Sequence, residues 1–105
     1  MAHVWVLYDS SALMTEVFRA DAIEHVRSTN ETVDALRIGA EGRVTVLHVS
    51  GRPKLPPGFG LDLLKTIARA SAEHLDEDTV VVPTLDGETW KWVVHPLLAY
   101  ELPRR

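Results

Sequence analysis

The sequence predicts an α+β fold in one small domain spanning 1–105. The expected parts are a bent antiparallel sheet from an N-terminal meander, one main amphipathic helix at about 61–75, and a C-terminal β-hairpin. Three observations lead there. Apolar residues in the first half recur mostly at strand spacing. A single segment, 61–75, carries apolar residues at helical spacing. Asp86-Gly87 stands between two β-prone runs, which is a hairpin signal.

The first strand is expected at about 3–8. Val4, Val6 and Tyr8 alternate with Trp5 and Leu7, so both faces are apolar. Such a strand belongs in the middle of a sheet covered on both sides. Residues 11–27 admit two readings. "TEVFRA" and "DAIEHVRS" are β-prone and favour strands. A helix would place Leu13, Val17 and Phe18 on one face, and its stripe would then meet Asp21 and His25. With that helix, the alternative fold is a ferredoxin-like split β-α-β arrangement.

"ETVDALRI" and "RVTVLHV" read as a hairpin around the glycine-bounded turn "GAEG". The inward set of the second strand is Val44, Val46 and either Leu47 or Val49. "SGRPKLPPGFG", residues 50–60, holds three prolines and three glycines. It reads as a loop within one domain, because neither flank is long enough to bury a core alone. In the helix, Leu61, Leu64, Ile67, Ala68, Ser71 and Leu75 form the expected buried stripe. Asp62 lies in the first turn, where it complements the positive helix end. Lys65, Arg69 and Glu73 form a solvated outer row, with Arg69 and Glu73 at i,i+4. With Asp86 and Gly87 as the central turn residues, Val81 stands opposite Trp92 and Pro83 opposite Trp90. Pro83 cannot donate to a ladder, so its strand is expected at an edge or ending there.

Composition narrows the function classes. The chain has 105 residues, is 46% hydrophobic and carries a formal net charge of −4. The acidic balance weighs against general nucleic-acid binding. No apolar run approaches the ~20 residues of a membrane span. The N-terminus lacks the basic region of a signal peptide. There is no cysteine, which removes disulfides and thiolate metal sites and fits a cytoplasmic protein. Five histidines, at 3, 25, 48, 74 and 95, lie in different elements and form no His-x-x-x-His pair, so no cofactor is expected.

Three stretches invite functional readings. In "VWVLYDSSAL", residues 4–13, an apolar strand ends at Asp9 and is followed by Ser10, Ser11, Ala12 and Leu13. This resembles the first strand of PIN-domain nucleases. The resemblance implies a metal-dependent ribonuclease with Asp9 as a Mg²⁺ or Mn²⁺ ligand among further carboxylates. The family's middle acid has no counterpart here, and Asp86, a candidate late acid, fits a hairpin turn better. Without such companions, Asp9-Ser10-Ser11 reads as a turn that bonds nearby backbone N–H groups. The loop before the helix offers a second reading. Arg52 and Lys54, with the backbone at Gly58 and Gly60, would hold an anion or assist nucleic-acid binding at a helix start.

The third stretch is "TWKWVV". Trp90 and Trp92 share one strand face, and large aromatics are rich in contact energy. If that face is core, Lys91 and Val93 point outward. At a sheet edge, the hairpin would pair with a partner strand or a second copy. The leading expectation is therefore a non-enzymatic protein–protein interaction module, able to form a homodimer, with Trp90, Lys91, Trp92 and Val93 as its contact residues. The nuclease and the anion binder stand as alternatives.

Overall fold

A computed structural model of the chain describes residues 2–7, 17–39, 42–49 and 53–101. The strands are β1 (Val4–Leu7), β2 (Val17–Arg19), β3 (Ile23–Ser28), β4 (Thr32–Arg37), β5 (Val44–His48), β6 (Thr79–Asp86) and β7 (Thr89–Pro96), with one α-helix, α1 (Phe59–Glu73). They form two sheets. One has the order β2-β1-β6-β7, and the other is the meander β3-β4-β5. This is the α+β fold with a meander and a C-terminal hairpin.

The first strand sits where its two-faced apolar pattern requires. β1 pairs antiparallel with β2 and parallel with β6, so the four-stranded sheet is mixed. Its Val6 faces the main core, and Leu7 joins Val80 and Val82 on the opposite face, covered in part by Trp5, Leu97 and Tyr100. Asp78 anchors the start of β1. Its carboxylate accepts from the His3 backbone N–H at 2.8 Å and from Trp5 Nε1 at 3.2 Å. These bonds, the backbone one foremost, hold the Asp78 pKa below its ordinary value.

The ferredoxin-like alternative is corrected over residues 17–28. β2, a short 3₁₀ turn at Ala20–Ala22, and β3 stand there in place of a helix. Phe18 and Ala20 reach the core at strand spacing, while Asp21 and His25 are not buried. A helix would have had to bury that second pair. Residues 11–16 lie outside the described set.

The uncertainty in β5 resolves through a β-bulge. Val33 pairs with Leu47 but Asp34 pairs with Thr45, so Val46 is the extra residue. A bulge lets neighbours share a face, and Val46, Leu47 and Val49 are all buried.

The helix forms two residues earlier than expected and in a different phase. Gly58, at φ 73°, turns the chain out of the Pro56-Pro57 stretch, and Phe59 and Gly60 make the first turn. The buried stripe is Phe59, Leu63 and Ala70, with Ile67 partly buried. The expected stripe is corrected: Leu61, Leu64 and Leu75 are 57%, 42% and 69% exposed. The reason lies at the N-terminus. A Cβ on Gly60 would stand 2.9 Å from Val26 Cγ1 and 3.0 Å from Ser28 Oγ. Only glycine allows this approach to β3, and the Gly60 N–H also donates to Ser28 Oγ at 3.0 Å. That contact sets the helix rotation, and the leucines at 61 and 64 turn outward.

One buried cluster joins both sheets and the helix. It includes Val6 and Val81 from the four-stranded sheet, Val33 and Leu47 from the meander, and Phe59 and Leu63 from α1. Among the described residues, no helix is long and apolar enough to cross a membrane.

Candidate interaction groove

β7 is an edge strand of the four-stranded sheet, and α1 lies beside it. The hairpin register differs from expectation by two residues. Asp86 pairs with Thr89, so Gly87 and Glu88 make the turn, with Gly87 at φ 65°. Leu85 therefore faces Trp90, Pro83 faces Trp92 and Val81 faces Val94. Because the shift is even, side-chain facing survives. Trp90, Trp92 and Val94 share the face toward the core.

The ladder also determines which backbone groups look outward. Leu97 N–H donates to Asp78 O at 2.9 Å. In an antiparallel pair, hydrogen-bonded and non-bonded positions alternate. Val80–His95, Val82–Val93 and Thr84–Lys91 are thus the bonded pairs, and Trp92 and Val94 turn their N–H and C=O groups away from β6, to the side where no described strand pairs with β7. The same alternation corrects the expectation for Pro83. β6 is an interior strand that runs through Pro83 to Asp86. Pro83 directs its missing donor away from β7, two residues beyond Val81, where the pairing with β1 ends.

Between α1 and β7 lies a groove of about 230 Å³, lined by Phe59, Asp62, Lys65, Arg69, Trp90 and Trp92, with Thr66 and Lys91 at its sides. Its floor is firmly built. Trp92 stacks on Phe59 with ring centroids 4.6 Å apart, and its Nε1 donates to Phe59 O at 2.9 Å. Trp90 is 5% exposed, and its Nε1 donates to Pro53 O at 2.8 Å. Both indoles thus serve the chain's own packing. The wall is cationic. Lys91 is tied to Asp86 at 2.9 Å, whereas Lys65 and Arg69 are exposed and form no ion pair within the described residues. The expected Arg69–Glu73 pair does not form.

The sequence pointed to the two tryptophans but not to Lys65 and Arg69, which read as an outer helical row. Nothing in the chain order says that this row borders β7. Lys91 and Val93 project from the other face of β7, Lys91 exposed and Val93 half-buried. The described residues of the anion reading each have another role. Lys54 pairs with Glu31 at 2.6 Å, which holds the Glu31 carboxyl below its ordinary pKa. The Gly60 N–H is taken by Ser28, Gly58 supplies the turn, and Arg52 lies outside the described residues. Asp9 and its Ser-Ser neighbours lie outside them as well. Among the described residues, no three His, Asp or Glu side chains converge as a metal site.

Comparison of the chain with protein-family models, curated proteins and solved structures yields no match.

Proposed function

We propose that the chain is a non-enzymatic protein–protein interaction module that accepts a partner strand on the β7 edge, beside α1. The observation that carries this reading is the backbone of Trp92 and Val94, unpaired by any strand among the described residues, next to a groove with a rigid aromatic floor. Unpaired strand edges recruit extended segments through main-chain hydrogen bonds, and adjoining pockets select side chains. The tryptophans act here as support for the edge. Their indole N–H groups are already used, and Trp90 is buried.

Val94→Pro tests the reading. It removes an N–H that faces away from β6, so the ladder keeps its bonds. The expected outcome in affinity capture from source cells is a partner held by the wild type and lost by Val94→Pro, with unchanged circular dichroism. Equal capture by both proteins would exclude the β7 edge.

A second copy of the chain is the runner-up partner, because a strand edge can pair with itself across a two-fold axis. Light scattering that shows a dimer, abolished by Val94→Pro, would select it.

A further inference from the structure

We infer that the segment taken by the α1–β7 groove is acidic, with two carboxylate side chains at alternate positions reading Lys65 and Arg69. The inference rests on the strand-addition reading above and adds the chemistry of the partner.

Charge gives the first argument. The chain as a whole is acidic, at −4, yet the helix wall of the groove carries Lys65 and Arg69 against Asp62, with Lys91 at the groove's side. Two of these cations, Lys65 and Arg69, have no counter-ion within the described residues. Spacing gives the second. Residues four apart on a helix rise about 6 Å. Side chains two apart on a strand face rise about 6.6 Å. An extended segment along the groove therefore offers successive same-face side chains at the interval of Lys65 and Arg69.

The competing occupants fit less well. Two copies paired through β7 would bring both Lys65–Arg69 rows toward one seam, where like charges repel. Single-stranded nucleic acid binds through stacking on free aromatic faces. Here Trp90 is buried and Trp92 is stacked on Phe59.

The test uses the full chain, ¹⁵N-labelled, titrated with short peptides of alternating Thr and Glu, Thr and Gln, or Thr and Lys, and with an oligouridylate. The expected result is that the Thr-Glu peptide shifts the Trp92 and Val94 amides. It should bind about two- to thirtyfold more tightly than the Thr-Gln peptide, the range for two exposed ion pairs. Added salt should weaken it, and the double variant Lys65→Gln/Arg69→Gln should bind both peptides alike. Equal binding of the Glu and Gln peptides at those amides would overturn the acidic assignment and leave strand addition standing. No shift at Trp92 or Val94 with any peptide would overturn both. Shifts by the oligouridylate at the same amides, with none by the Thr-Glu peptide, would replace the peptide with nucleic acid.

Discussion

Asp78 shows how one side chain can connect distant parts of this chain. Its carboxylate receives the His3 backbone N–H and the Trp5 indole, and its carbonyl receives Leu97 N–H. The start of β1, the start of β6 and the exit from β7 therefore meet at one residue. These bonds depress the Asp78 pKa in the folded chain below its unfolded value. A depressed carboxylate contributes stability above the unfolded pKa, and that contribution is lost as pH falls through the folded pKa. The window accordingly runs from the ordinary aspartate value of 3.8 downward. Asp78→Asn keeps one acceptor oxygen and loses the charge. The expected outcome is a lower Tm at neutral pH and a shallower acid limb, with the two proteins converging in strong acid. Thermal melts by circular dichroism across pH check it. Glu31 titrates in the same direction through Lys54, but that pair is exposed and salt-screened.

The helix carries apolar residues on two faces, and only one of them is core. Phe59, Leu63 and Ala70 pack inward, while Leu61 and Leu64 remain exposed. Substitutions therefore separate the two phases. Leu63→Ala should cost about 2–5 kcal/mol, the range for emptying a fully buried leucine site. Leu64→Gln should change stability by only about 0.5 kcal/mol either way, as exposed positions do. Urea unfolding of the two variants decides between the stripes, since a buried Leu64 would reverse the order. The same helix presents Lys65 and Arg69 to the groove. Its inner face holds the fold, and its flank lines the groove.

The two sheets unfold together if their shared cluster is the main source of stability. Val33 lies in the meander and is fully buried, yet it belongs to the same cluster as Val6, Val81 and Trp90. All three tryptophans stand on β1 or β7, in the other sheet. Val33→Ala removes two buried methyl groups, at a cost of about 2 kcal/mol. The tryptophan-fluorescence midpoint should therefore fall with the far-UV dichroism midpoint, and the two transitions should coincide. A fluorescence transition that stayed in place would show two separately folding sheets.

Strand pattern and turn chemistry were legible in the order of residues. The two-faced run at Val4–Leu7, the hairpin around "GAEG" and the Asp86-Gly87 signal are local properties of adjacent side chains, and each produced its element. Even the two-residue error in hairpin register left Trp90, Trp92 and Val94 on one face, because strand facing repeats every second residue. The rotation of α1 was not legible. Leu61, Leu64 and Leu75 imitate a core stripe, and the true phase depends on Gly60 meeting Val26 and Ser28, residues more than thirty positions away in the chain. The groove is a product of the same kind of contact. Lys65 and Arg69 line the groove with β7 because α1 packs beside that strand, and non-local packing of two elements leaves no periodic mark in either sequence.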